Sequence, residues 1–147
     1  MSAFAEGSLA VAVAASNRDE AIVASGQLLV ASGRVTPDYV GQMLAAVEEF
    51  GPYIVIAPGI ALAHARPSEA VLSSGLSLAV LANPVEFGSH NDPVRLVFGL
   101  AAIDHEQHLG VLSALAERLS EPSYVNNLLN APTIEALAAL LDFERAE

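Results

Sequence analysis

Apolar residues recur at helical spacing in the N-terminal part of the chain. Asn17 and Glu20 have the spacing of a capping box, and the apolar positions behind them run to Gly33, a residue type that ends helices. A second helix is predicted from Thr36, as its N-cap, to Gly51, where the pattern stops. The apolar positions of this second helix are Val40, Met43, Leu44 and Val47. The pattern therefore predicts a helical opening.

The spacing of apolar residues then changes to that of strands. Residues 53–57, 75–81 and 94–103 are apolar runs of strand length, and we predict a buried strand for each. Asn83-Pro84 and residues 91–93 are turn-forming stretches that separate these runs. The sheet is thus expected in the middle of the chain.

Helical spacing returns in the last third. A long helix with an apolar stripe is predicted to begin at Asp104, and shorter helices near Pro122 and Pro132. Helices, then strands, then helices predict an α/β fold, a single-domain sandwich over residues 1–147 with a central mixed β-sheet flanked by helices.

Composition narrows the classes of function. The 147 residues are 53% hydrophobic, which suits one compact domain. Their formal charge is -11, from 17 acidic residues against 6 arginines and no lysine, so nucleic acid is not an expected partner. The absence of cysteine excludes disulfides and thiol nucleophiles on this chain. The apolar residues 8–16 are too few to span a membrane, and we expect a soluble, cytoplasmic protein.

One histidine stands in a setting suited to nucleophilic chemistry. An apolar strand and the Pro58-Gly59 turn lead to His64, which is predicted to lie in a loop of small residues. Apolar surroundings favour the neutral imidazole, the form that can attack phosphorus. Arg66 could clamp phosphate oxygens, or could simply pair with Glu69 on the surface. On spacing alone, a loop histidine with only a local hydrogen bond is an equally good interpretation of His64.

The other histidines have weaker claims. His108 shares the apolar stripe of its helix near the N-terminal end, a place that favours a neutral ring and a nearby phosphate. From spacing alone, a core histidine bonded to a carbonyl is the better interpretation. His105 and His108 at i, i+3 also suggest a metal site, but lack the i, i+4 spacing of zinc proteases. His90 is predicted in a solvent-facing turn, outside the reacting centre.

The ordered set of motifs resembles a known family. Residues 51–67, with Pro58-Gly59 and Leu62-Ala63-His64-Ala65-Arg66-Pro67, and residues 91–112 are similar to the IIA components of the bacterial phosphoenolpyruvate-dependent sugar phosphotransferase system, mannitol/fructose superfamily. The ascorbate-type branch is the most similar. Many mannitol-type members carry an arginine on the helix before the active-site strand, where this chain has Val47-Glu48-Glu49. That departure favours the ascorbate-like branch.

The resemblance implies a phosphotransferase that works as a relay. His64 would take a phosphoryl group from the carrier HPr and pass it to a cysteine of a IIB component, which serves a membrane IIC protein in the uptake of ascorbate or a related sugar. His108 would be the nearby partner of His64, and Arg66 would hold phosphate oxygens. No metal, nucleotide or other cofactor is implied. The resemblance is compatible with a homo-oligomer.

Two other classes of function are compatible with the sequence. The chain could be a regulatory interaction module, in which the phosphorylation state of His64 controls a partner protein. A metal-binding protein that uses His105 and His108 ranks far lower, because no closed ligand set is evident.

Overall fold

The computed structural model describes residues 4–104 and 106–141, without the side chains of residues 107–112 and 114, and over that range a mixed five-stranded sheet lies between two layers of helices. The strands are β1 (Leu9–Val13), β2 (Val55–Ala57), β3 (Ile60–His64), β4 (Gly75–Val85) and β5 (Val94–Ala101). The helices are α1 (Arg18–Ala31), α2 (Asp38–Phe50), α3 (Glu106–Leu119), α4 (Pro122–Asn130) and α5 (Ile134–Leu140). The predicted α/β sandwich with a central mixed sheet is confirmed.

The strand order is β1-β4-β5-β3-β2. The pairs β1–β4 and β3–β5 are parallel, whereas β4–β5 and β2–β3 are antiparallel. Because β3 and β5 run side by side in the same direction, their carboxyl ends meet at one edge of the sheet. His64 pairs with Leu100 at that edge.

Each face of the sheet carries its own apolar core. α1 and α2 cover one face, where the fully buried Ile22, Leu29 and Met43 pack against strand residues such as Ala63 and Val97. The opposite face packs against residues of α3, α4 and α5. The core members from these helices include Leu115, Tyr124, Leu128 and Leu137.

Local signals at the helix ends were largely correct. Asn17 caps α1, since its side-chain oxygen accepts the Glu20 N–H at 2.9 Å, and Glu20 in turn accepts the backbone N–H of Ser16 at 2.8 Å. Gly33 ends α1 with φ +78°, which a residue without a side chain adopts easily. The predicted cap at Thr36 is wrong, because α2 begins at Asp38 without a side-chain cap. No helix among the described residues is long and apolar enough to cross a membrane.

Sequence patterning missed two strands. The pattern predicts no strand at β1, and it predicts a loop at His64, which is in fact the last residue of β3. Both strands are rich in alanine, a residue with little preference for strands, so the hydrogen bonds of neighbouring strands decide their conformation.

The predicted strands also differ in length. Tyr53 belongs to a 3-10 turn, Pro52–Ile54, rather than to a strand. β4 continues through Asn83-Pro84, with a register shift against β5 between Val80 and Val85, and β5 ends at Ala101 rather than at residue 103. A shift in register lets a strand tolerate turn-forming residues without ending.

Candidate active site

The end of β3 places His64 at the carboxyl edge of the sheet. Side chains alternate along a strand, so His64 shares a face with Ile60 and Leu62, both of which belong to the core beneath α3, α4 and α5. The side chain of His64 is half-buried. It is therefore anchored to the sheet and partly exposed to solvent.

One hydrogen bond fixes which ring nitrogen of His64 can react. Nδ1 lies 2.9 Å from the carbonyl oxygen of Leu62. A carbonyl oxygen only accepts, so Nδ1 carries a proton, and in the neutral ring Nε2 then has the lone pair. β2 pairs with β3 only through Ala61 and Ile60, so the Leu62 carbonyl lies just beyond the last strand pair and is available to the ring.

Aromatic rings line one side of His64. The Tyr53 ring meets the imidazole edge to face, and Phe50 meets Tyr53 in the same way. Together they form the wall of a cleft of about 520 Å³. The cleft is also lined by Ala46, Ala65, Arg66, Pro67, Leu100 and Ala102. The three alanines in this lining leave room for a large group beside the imidazole.

Arg66 brings a positive charge to this cleft. Its side chain is exposed and also lines an adjoining groove of about 310 Å³ that contains Glu49. Burial raises the pKa of the Tyr53 hydroxyl, and the Arg66 guanidinium opposes that rise. Among the described residues no carboxylate lies within salt-bridge distance of Arg66, so the alternative pairing with Glu69 is not formed.

The structure describes the other histidines only in part. His108 lies in α3, which starts shortly after β5 on the face of the sheet that His64 shares, but its side chain is outside the described part. His105 is also outside the described residues. The metal alternative, which used His105 and His108, therefore lies outside the part of the chain that the structure describes. His90 is exposed in a turn, as predicted.

Sequence reasoning missed Tyr39. This residue lies in the first turn of α2 and is 0% exposed, yet its hydroxyl contacts the backbone of Ala65 and Leu100 beside His64. A tyrosine on the buried stripe that Val40 and Met43 mark was the available signal, because a buried tyrosine hydroxyl needs a hydrogen-bond partner.

Comparisons with known proteins agree with this architecture. The family model described as "Phosphoenolpyruvate-dependent sugar phosphotransferase system, EIIA 2" matches residues 3–143. The mannitol-specific cryptic phosphotransferase enzyme IIA component of Escherichia coli is 34% identical over 138 residues, which cover 94% of each chain. The ascorbate-specific PTS system EIIA component of Salmonella choleraesuis is 38% identical over 125 residues, which cover 84% of this chain and 81% of that protein.

A solved complex has a similar component. Enzyme IIAMTL from Escherichia coli, whose structure was determined in a complex with phosphorylated enzyme IIBMTL, matches with a TM-score of 0.81 and 28% identity. The match covers 94% of this chain and 96% of that one. The likeness therefore extends over nearly the full length of both chains.

Proposed function

Because the chain belongs to the EIIA 2 family of the phosphoenolpyruvate-dependent sugar phosphotransferase system, we propose that it accepts a phosphoryl group from phospho-HPr on Nε2 of His64. The observation that carries the proposal is the 2.9 Å contact between Nδ1 of His64 and the Leu62 carbonyl oxygen. It leaves the distal nitrogen with a lone pair at the mouth of an open cleft. An imidazole held in this tautomer is ready to act as a nucleophile.

The step is a direct exchange of one nitrogen–phosphorus bond for another. Nε2 of His64 forms a bond to phosphorus while the bond to the donor histidine of HPr breaks, and the donor ring keeps the electron pair of that bond. Positive charge develops on the His64 ring, and the Leu62 carbonyl oxygen stabilises it by accepting from Nδ1–H. The two linkages are alike in reactivity, so the transfer needs no large driving force, and catalysis depends on positioning and on stabilisation of charge.

Arg66 and His108 complete the proposed phosphoryl site. Arg66 lines the cleft with His64 and would pair with the phosphoryl oxygens through its forked donors. The chain order supports His108, because α3 begins within a few residues of the end of β5, whose Leu100 pairs with His64. His108 would then bind the phosphoryl group or the ring that carries it. No cofactor takes part in this scheme.

The acceptor in the proposed relay is a cysteine of a IIB component. The similarity to enzyme IIAMTL, solved with phosphorylated enzyme IIBMTL, supports this partner. The ascorbate-specific relatives support ascorbate or a related sugar as the compound taken up. A membrane IIC protein would act only through IIB, and the chain itself would work in the cytoplasm.

Mass spectrometry of the intact protein tests the proposed function. The protein is incubated with phosphoenolpyruvate, enzyme I and HPr, under conditions that preserve phosphohistidine. We expect one acid-labile phosphoryl group on the wild type and on His90→Ala, a matched control in an exposed turn. None is expected on His64→Ala, whose fold is checked by circular dichroism. Phosphoryl uptake by His64→Ala would remove His64 from the mechanism.

A further inference from the structure

The hydroxyl of Tyr39 lies between the two strands that meet at His64. It accepts a hydrogen bond from the Ala65 N–H at 3.0 Å and lies 2.8 Å from the carbonyl oxygen of Leu100. The carbonyl oxygen of Ala65 is slightly farther, at 3.1 Å. A hydroxyl has one hydrogen to donate, and the shorter contact to Leu100 is the better acceptor. Tyr39 therefore links β5 to the residue that follows the proposed nucleophile.

This link takes the place of a hydrogen bond that regular strand pairing would make. β3 and β5 are in parallel register from Ile60↔Leu96 to His64↔Leu100, and the Leu96 N–H donates to the Gly59 carbonyl at 3.1 Å. If the same alternation continued, the Ala65 N–H would donate to the Leu100 carbonyl. The Tyr39 hydroxyl stands between these two groups, and β3 ends at His64.

We propose, on the basis of the phosphocarrier function above, that Tyr39 is a positioning residue whose hydroxyl separates β3 from β5 after His64 and so presents the imidazole to its phosphoryl donor. Ala65 and Leu100, the residues it holds, line the same cleft as His64. Without the hydroxyl, the Ala65 N–H and the Leu100 carbonyl would pair with each other or with water, since neither can be left unsatisfied. Direct pairing would bring the two strands together and move the backbone next to His64, and a water would replace a hydroxyl fixed by the core with a group that is not fixed.

Tyr39→Phe tests this role, because it removes the hydroxyl and keeps the ring in the core. The matched control is Tyr124→Phe, since Tyr124 also donates to a backbone carbonyl, that of Leu140 at 2.7 Å, in the helical layer formed by α4 and α5. Misplacement of a reacting group by about 1 Å can cost about two orders of magnitude in rate. We expect Tyr39→Phe to accept phosphoryl groups from phospho-HPr about tenfold more slowly, and Tyr124→Phe to match the wild type.

A second readout does not depend on phosphoryl transfer. The nitrogen-15 chemical shifts of the His64 ring report the proton on Nδ1 and its hydrogen bond to Leu62. They should change in unphosphorylated Tyr39→Phe and stay constant in Tyr124→Phe. Circular dichroism is used to check that both variants are folded before either comparison is made.

The two readouts separate the positioning role from the proposed function. With an active wild type, the proposal requires both a slower rate and altered His64 ring signals in Tyr39→Phe, and an unchanged result in either one overturns it. A wild type that takes no phosphoryl group from competent HPr contradicts the proposed function instead. The ring signals then decide alone: altered signals in Tyr39→Phe support the positioning role, and unaltered signals overturn it.

Discussion

The ring of Tyr53 meets the imidazole of His64 edge to face, with centroids 5.5 Å apart and planes inclined by 76°. Phe50 approaches Tyr53 in turn, at 6.0 Å and 83°. These outer rings are half exposed, 45% for Tyr53 and 53% for Phe50. Since the Leu62 carbonyl holds one nitrogen of the imidazole and Tyr53 packs against its ring, the orientation of His64 depends on both contacts.

Loss of the Tyr53 ring should slow phosphoryl uptake. An aromatic edge-to-face contact contributes about 0.5–1.5 kcal/mol, so Tyr53→Ala should lower the rate by about two- to tenfold. Tyr53→Phe keeps the ring and should keep the rate. The measurement is the initial rate of transfer from phospho-HPr. If Tyr53→Phe were as slow as Tyr53→Ala, the hydroxyl rather than the ring contact would be responsible.

Arg66 should matter through its charge. Arg66→Gln removes a charged donor from the cleft and should slow transfer by about tenfold, because hydrogen bonds to charged groups contribute about 1.5–3 kcal/mol and an exposed site is partly screened. Arg66→Lys should be intermediate, since lysine lacks the forked donors.

The matched control for Arg66 is Arg18→Gln. Arg18 is a surface arginine of α1 that pairs with Asp19 and Glu48, each at 3.2 Å. Transfer rates are compared at one ionic strength. Equal losses in Arg66→Gln and Arg18→Gln would indicate a general effect of charge and contradict a specific phosphate contact.

Ionisation of buried tyrosines should lower the stability of the fold at high pH. Burial raises the pKa of the Tyr39 hydroxyl above its ordinary value of 10.0. The folded state therefore prefers the neutral hydroxyl, and this contribution is complete below pH 10.0 and is lost as the pH rises through the folded-state pKa. Tyr39→Phe has no such group, so its free energy of unfolding should fall less steeply.

Urea denaturation between about pH 8 and about pH 11 checks this prediction. Tyr53 and Tyr124, whose pKa values burial also raises, remain in the variant, so some alkaline loss should persist. Parallel stability curves for the wild type and Tyr39→Phe would show that ionisation of Tyr39 does not contribute.

Close packing of α1 on the sheet depends on Gly99. A Cβ at this position of β5 would overlap Oγ of Ser77 and lie 3.2 Å from both Cδ1 of Leu29 and the Ser25 carbonyl oxygen. Gly99→Ala should therefore destabilise the fold by about 1–3 kcal/mol. A Cβ at Gly41 in α2 would meet no other part of the described chain within 4 Å, and Gly41→Ala should stabilise the helix by about 0.5–1 kcal/mol. Chemical denaturation that gives both variants the same sign would contradict this packing account.

The helices were more predictable than the strands, for a physical reason. The cap at Asn17 and the end of α1 at Gly33 depend on bonds within a few residues, so the local sequence contains them. β1 and β3 depend instead on pairing with β4 and β5, which are distant in sequence. Alternation and strand propensity are weak in their alanine-rich sequences, and no local pattern revealed them.

The candidate site likewise contains residues that the sequence reveals and residues that it does not. His64 and Arg66 stand out in the sequence, because an apolar run leads to a histidine and an arginine follows two residues later. The role of Leu62 and the hydrogen-bond partners of Tyr39 could not be predicted. The first depends on where β2 stops pairing with β3, and the second on a contact that joins residues 26 positions apart in sequence.

Nuclear magnetic resonance of the phosphorylated protein tests the central claim most directly. The protein is labelled with nitrogen-15 in its histidine rings and phosphorylated through HPr, and the coupling between phosphorus-31 and nitrogen-15 identifies the bonded atom. The hydrogen bond of Nδ1 to Leu62 predicts coupling to Nε2 of His64 alone. Coupling to Nδ1, or to a ring nitrogen of another histidine, would contradict the account.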